Sequence, residues 1–293
     1  MLETTIDRLC DHVGQTVRLK GWLQNRRSKG KLHFLIVRDG SGLVQSVAFK
    51  GNLADALFDS IGRLPLESSL LVVGVVKADK RAPGGYELDL RDAEIVAQTT
   101  AEYPIGKKDH GPGFLLGHRH LWLRSKKQWA VLRIRSEVEK AIHDFFYERG
   151  YTRVDAPILT PAACEGTSTL FGLEYFNEGL AYLTQSGQLY AEAAAMAHGK
   201  VYTFGPVFRA ERSKTRRHLT EFWMVEPEIA FATLDDVMKL AEEFLCYLVG
   251  RVLERRALEL EVLERDRSPL ERIVPPFPRI SYDEAVELLR ENG

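Results

Sequence analysis

The chain has 293 residues, 45% hydrophobic and 28% charged, an ordinary composition for a water-soluble protein with room for two cores. A formal net charge of -1 excludes a global pull towards nucleic acid, so any RNA contact must come from a local patch. Three distant cysteines, Cys10, Cys164 and Cys246, exclude a disulfide framework or CxxC metal pair and fit a reducing, cytoplasmic setting, and the acidic N-terminus predicts neither a signal peptide nor a membrane span.

From Val17 to about Val96 the chain carries five short β-rich runs, VRLKGWLQ, HFLIVRD, GLVQSVAF, LLVVGVVK and YELDLRDAEIV, punctuated by the turn clusters SKGK, DGSG and APGG. One helical run, LADALFDSIGRL, interrupts them, which predicts a small OB-type barrel over residues 1–100. Between Val13 and Val37 there is no acidic residue, while Arg18, Lys20, Arg26, Arg27, Lys29 and Lys31 are present. Such a patch can neutralise a phosphate backbone. Trp22 and Phe34 interleave with it and Gln45 follows on the next strand, as in surfaces that stack and read single-stranded bases. The same residues also fit a barrel core with a solvated basic rim.

Residues 101–120 mix Pro, Gly and His without periodicity and are expected to form a hinge. A second domain, 121–293, begins with an amphipathic helix through Leu132, Ile134, Val138, Ala141, Ile142, Phe145 and Phe146, closed by Gly150. The strand-like TRVDAPIL follows, with Pro157 suited to an edge or an interface. Cys164 in the next loop lacks a partner acid or base and reads as a structural thiol. AYLTQSGQLYAEAAAMAHG reads as a strand or turn, Ser186-Gly187-Gln188, feeding an alanine-rich helix; Ser186 fits either a substrate pocket or a helix cap. A long helix opens with the capping pattern Thr233-Leu234-Asp235-Asp236, and FPRISYDEAVELLRENG reads as a strand and a helix start.

The chemistry concentrates in VFRAERSKTRRHLTEFWMVEPEIAF, from Val207 to Phe231, which predicts two antiparallel strands joined by a long basic loop. Alternation places Arg209 and Glu211 on one face of the first strand and Phe222, Met224, Glu226 and Glu228 on one face of the second. A forked cation, an aromatic ring and carboxylates would then share one floor, a set suited to phosphate and carboxylate ligands. No GxxxxGK[ST], placed GxGxxG or HExxH is present, so nucleotide binding would need another arrangement and no metal ligands are predicted in this chain.

FRAE followed by HLTEFWMVEPE resembles motif 2 of the class II aminoacyl-tRNA synthetases, and GYTRVDAPIL after its long helix resembles motif 1, with Pro157 at the dimer contact. The barrel sequence GWLQNRRSKGKLHFLIVRDGSGLVQ is similar to the anticodon-binding domain of the aspartyl, asparaginyl and lysyl subgroup. In LTQSGQLYAEA, Ala191 stands where aspartyl enzymes carry a lysine that pairs with the substrate carboxylate; SGQLY and RHLTEFWMVEPE resemble the asparaginyl members. The implied fold is α+β, an OB barrel followed by a catalytic domain with a mixed, mainly antiparallel sheet flanked by helices. The implied substrates are ATP, L-asparagine and tRNA(Asn), with Mg²⁺ as cofactor, in a homodimer.

The resemblance assigns roles by position. Arg209 would bridge the substrate α-carboxylate and the ATP α-phosphate, Glu211 would face the adenine and Phe222 would stack on it, and Arg217 or His218 would reach the γ-phosphate. Glu165, Ser186, Gln188 and Glu226 would line the amino-acid pocket, Glu226 towards the ammonium. Phe34 would stack an anticodon base, Gln45 would hydrogen-bond the central uridine, and Arg26 would hold a nearby phosphate or base. The family's motif 3 and its acidic Mg²⁺ ligands have no counterpart up to Gly293, so residues 1–293 alone are expected not to activate asparagine. Two alternatives stay open: a nondiscriminating aspartyl enzyme, disfavoured by Ala191, and a non-catalytic synthetase-like RNA-binding protein, disfavoured by Arg209, Glu211 and Phe222.

Overall fold

The computed structural model describes residues 2–106, 108–161, 163, 169–212, 215 and 217–292, which form two compact units, 1–117 and 118–293.

In the first unit β1 (Leu2–Glu3), β2 (Thr16–Lys29), β3 (Leu32–Arg38), β4 (Leu43–Phe49), β5 (Ser69–Ala78) and β6 (Tyr86–Ala97) form one sheet in the order β1-β2-β3-β4-β6-β5. An additional β2–β5 pairing, Thr16↔Val75 to Trp22↔Ser69, closes it into a barrel. Inward positions alternate along each strand, and Val17, Leu19, Leu23, Leu35, Val37, Val44, Val72 and Leu88 fill the barrel. Helix α1 (Asp55–Arg63) lies between β4 and β5 in sequence and buries Phe58 and Ile61. Trp22 is 44% exposed and Phe34 half-buried, so neither belongs to the core. The barrel-interior alternative for these two rings is thereby removed.

A β-bulge between Leu23 and Asn25 reverses the alternation along the rest of β2. Counting by twos from Val17 would turn Arg27 inward; past the bulge Arg26 faces the buried Leu35 and Arg27 faces Phe34. The inward-turned Arg26 donates from Nη1 to the carbonyls of Ile61 (3.1 Å) and Leu64 (2.9 Å) at the end of α1.

The second unit begins near the short helices α2 (Pro112–Gly117) and α3 (Arg119–Trp122) and continues into α4 (Lys126–Glu148). Ser125 caps α4, and Gly150, at φ 75°, ends it in the left-handed conformation that a residue without Cβ adopts freely. The core-facing side of α4 carries Ala141, Ile142, Phe145 and Phe146 as expected, but Leu132 is 43% exposed while the charged Glu137 is buried. Hydrophobic periodicity cannot register a buried carboxylate; Glu137 is inside because arginines accompany it there.

The run TRVDAPIL is not one strand. β7 (Thr152–Arg153) pairs in parallel with β11 (Lys200–Phe208), and β8 (Leu159–Thr160) joins another sheet in the order β8-β10-β9 with β9 (Gly172–Glu174) and β10 (Leu180–Leu183). The chain departs from β11 after the Val154 N to Tyr202 O bond, and Pro157, which has no N–H to donate, lies exposed between the two pairings. After β10 a tight turn leads into α5 (Gln188–His198); β11 then returns along β12 (Glu221–Ile229) in antiparallel register. Helix α6 (Leu234–Arg255) carries the expected capping box at Thr233 and Asp236 and packs on α4 through Leu240, Phe244, Tyr247 and Leu248. Helices α7 (Ala257–Val262), α8 (Ser268–Glu271) and α9 (Tyr282–Asn292) follow. No strand forms at Phe277–Ser281, against expectation: Pro275, Pro276 and Pro278 remove ladder donors, and the Phe277 N–H goes instead to Glu242 Oε2 at 2.6 Å. No helix among the described residues is long and apolar enough to cross a membrane.

Candidate functional site

The β11–β12 hairpin runs in register from Lys200↔Ile229 to Phe208↔Glu221, and one further bond joins Arg209 N to Thr220 O at 2.9 Å. Arg209 and Glu211 therefore lie just beyond the strand rather than on it. Leaving the strand lets Arg209 turn: its Nη1 donates to the main-chain carbonyl of Gln185, and its guanidinium carbon sits 5.5 Å from the centre of the Phe222 ring. A cavity of about 560 Å³ opens here, lined by Arg209, Glu211, Arg212, Arg217, His218 and Phe222. Thr215 orders the loop end, bonding to His218 Nδ1 and accepting from Arg217 N at 3.3 Å. The cavity thus holds an aromatic face at one place and three arginines and a histidine at others. That pairing suits a ligand with a flat ring and several negative charges.

The expected single floor divides in two. Met224, Glu226 and Glu228 lie further along β12, and Glu226 belongs to the turn between β10 and α5. Its Oε1 accepts from the Ser186 hydroxyl, and its Oε2 from Gly187 N at 3.0 Å and Thr203 Oγ1 at 3.2 Å. Ser186 is 5% exposed and its oxygen also accepts from Gln188 N at 3.0 Å, so its hydroxyl is a buried support of the helix start rather than a solvated cap. Gln188 lies exposed, its Nε2 donating to Glu192 Oε1 at 2.9 Å. Burial pushes the Glu228 carboxyl up, and the charges of Glu192 and Glu226 push it further the same way. Excess negative charge collects on this side of the sheet, where a cation would relieve it.

Gln185 connects the halves: its carbonyl holds Arg209, while the next residue, Ser186, holds Glu226. Ala191, the residue at the lysine place of the aspartyl enzymes, has no exposed surface and packs with Ala195, Val201 and Val154. Cys164 and Glu165 lie outside the described residues. Among the described residues no group of three or more His, Cys, Asp or Glu side chains is placed to hold a metal ion.

On the outer barrel surface Phe34 stands beside Arg27, whose guanidinium carbon is 4.5 Å above the ring centre. Gln45 donates from Nε2 to Glu87 Oε2 at 3.3 Å. Arg26, expected to hold a phosphate or base, is engaged at the end of α1, and it is Arg27 that lies beside Phe34. Alternation alone missed this because the bulge is invisible to it. Thr203 and Gln185 were also missed, Gln185 because it takes part through its main-chain carbonyl and Thr203 because it meets its carboxylate only across the ladder.

Residues 112–292 match the family model described as tRNA synthetases class II (D, K and N). The chain belongs to that family. Residues 17–96 match the OB-fold nucleic acid binding domain. The chain is 59% identical over 290 residues to the asparagine–tRNA ligase of Koribacter versatilis and 58% identical over 285 residues to that of Thermus thermophilus, covering 98% and 97% of itself. It spans 65% of the length of each of these class II relatives. Among solved structures it resembles asparaginyl-tRNA synthetase from Pyrococcus horikoshii complexed with asparaginyl-adenylate (TM-score 0.90, 43% identity, 97% of this chain and 65% of that one). It also resembles the Entamoeba histolytica asparaginyl enzyme with the same adenylate (TM-score 0.83, 27% identity, 99% and 66%).

Proposed function

We propose that the full-length protein ligates L-asparagine to tRNA(Asn) through an asparaginyl-adenylate, consuming ATP and releasing AMP and pyrophosphate. The observation that carries this reading is the bond from Arg209 to the Gln185 carbonyl, which fixes one guanidinium between the ring-and-cation cavity and the Ser-Gly-Gln turn. In that place Arg209 holds a carboxylate and an α-phosphate together and stabilises the charge that builds as a carboxylate oxygen attacks phosphorus and pyrophosphate departs. Phe222 stacks the adenine, Glu211 faces its edge, and Arg217 or His218 meets the γ-phosphate. Ser186, Gln188 and Glu226 frame the amino acid, whose ammonium is favoured by the charge of Glu226 and Glu228, and Glu165 completes the pocket. Mg²⁺ would accompany the phosphates, and among the described residues no group of three or more His, Cys, Asp or Glu side chains is placed to hold it.

Preference for asparagine over aspartate is supported by Ala191, whose buried contact with Val201 and Ala195 supplies no cation for a substrate carboxylate. The names of the relatives support the same choice. The exposed Pro157, Ile158 and Leu159 fit a homodimer contact, and the scattered cysteines fit the cytoplasm. The test is amino-acid-dependent pyrophosphate exchange by the full-length protein with asparagine and aspartate side by side. Exchange with asparagine alone is expected; exchange with aspartate in its place would favour the aspartyl enzyme that charges both tRNAs, and tRNA binding without exchange the non-catalytic alternative.

On the barrel, Phe34 and Arg27 form the proposed anticodon stack, with Gln45 beside it. Phe34→Ala is expected to weaken binding of tRNA(Asn) by about 1–3 kcal/mol in a filter-binding titration, the usual size of a lost base stack. Unchanged affinity would remove Phe34 from the interface. Arg26→Ala should act differently: losing bonds from a charged donor to α1 lowers barrel stability by about 1–3 kcal/mol, read by thermal unfolding, with little change in tRNA affinity once folded.

A further inference from the structure

Thr203 sits in the middle of β11, directly across the ladder from Glu226, and is 3% exposed. Its Oγ1 donates to Glu226 Oε2, the oxygen that also accepts the Gly187 N–H, while the other oxygen holds the Ser186 hydroxyl. Gly187 rests on the same side chain: a Cβ there would come within 2.7 Å of Thr203 Oγ1 and 3.0 Å of its Cγ2. The absence of a side chain at 187 thus lets the turn close down onto the threonine. One carboxylate gathers three protein donors, from a strand hydroxyl, a turn amide and a turn hydroxyl. Without the Thr203 hydroxyl this carboxylate loses the donor that ties it to the strand, and the turn loses the contact on which Gly187 rests.

We propose that Thr203 is a positioning residue: it aims the Glu226 carboxylate, which presets the Ser186-Gly187-Gln188 turn for the amino-acid substrate. The inference rests on the reading above that this turn lines the amino-acid pocket. Its consequence is selective. The nucleotide cavity is lined by residues of the β11–β12 loop and Phe222, none of which bonds to Thr203, so a defect at Thr203 should fall on the amino acid and spare ATP.

The experiment compares Thr203→Val, which keeps the shape and removes the hydroxyl, with Thr203→Ser, which keeps the hydroxyl, both in the full-length protein. In pyrophosphate exchange Thr203→Val is expected to raise the KM for asparagine about tenfold or more, the loss of one hydrogen bond to a charged group, with the KM for ATP unchanged. Thr203→Ser should restore the asparagine KM. Hydrogen exchange at the Gly187 amide, followed without substrate, should accelerate in Thr203→Val and return to normal in Thr203→Ser. An unchanged asparagine KM in Thr203→Val, a parallel rise for ATP, or failure of serine to rescue would overturn the proposal. So would unaltered Gly187 exchange, whatever the activity. If the unsubstituted protein activates a different amino acid, the asparagine reading fails, and Thr203 is judged by the KM split for that substrate and by the Gly187 amide.

Discussion

Arg209→Ala in the full-length protein is expected to lower asparagine-dependent pyrophosphate exchange by about a hundred- to a thousandfold, the usual loss when one preorganised donor to developing charge is removed. The geometry explains the size. The guanidinium is held on one side by the Gln185 carbonyl and lies against the Phe222 ring, so it is fixed in place before a ligand arrives. A lysine at 209 keeps the charge but not the planar fork, and should recover only a small part of the loss. Binding of tRNA(Asn), assigned to the barrel face around Phe34, should persist in both variants. Exchange near the wild-type rate in Arg209→Ala would disprove the bridging role.

The second large effect concerns stability. Glu137 on α4 is 4% exposed, and accepts from Arg251 Nε at 3.0 Å and from Arg256 Nη2 at 2.6 Å and Nε at 3.1 Å. Arg251 also reaches Asp144 on α4 at 2.8 Å. Glu137→Ala leaves two guanidiniums facing a partly buried gap, and breaking such a pair costs about 3–5 kcal/mol. Calorimetry of the second unit's transition should register the loss. Burial alone would push the Glu137 carboxyl up, but Arg256 and Arg251 outweigh it and hold the carboxyl below its ordinary value. A carboxyl depressed in the folded state stabilises above the unfolded-state pKa of about 4.3, and that contribution disappears as pH falls through the lower folded value. The gap between wild type and Glu137→Ala should therefore be widest near neutral pH and shrink in acid. A gap independent of pH would show that packing, not charge, accounts for the loss.

Much of this protein is written in local patterns. Alternating runs separated by glycine turns, with one helix among them, determined the barrel; the amphipathic spacing ending at Gly150 determined α4; and FRAE with HLTEFWMVEPE marked the hairpin and its basic loop. These features depend on neighbours within a few residues, so the sequence alone carries them. Tertiary structure decided what depends on distant partners. The bulge after Leu23 turned Arg26 inward and set Arg27 beside Phe34, and the departure of the chain from β11 split TRVDAPIL between two sheets. The end of the strand at Phe208 freed Arg209 to reach back to Gln185, 24 residues earlier. The sequence offered Glu226 as a carboxylate for an ammonium; folding added the Ser186, Gly187 and Thr203 donors that aim its oxygens. A carboxylate's job is set by which donors reach it, and those donors come from two segments, the turn before α5 and the strand β11, that only the folded chain brings to Glu226.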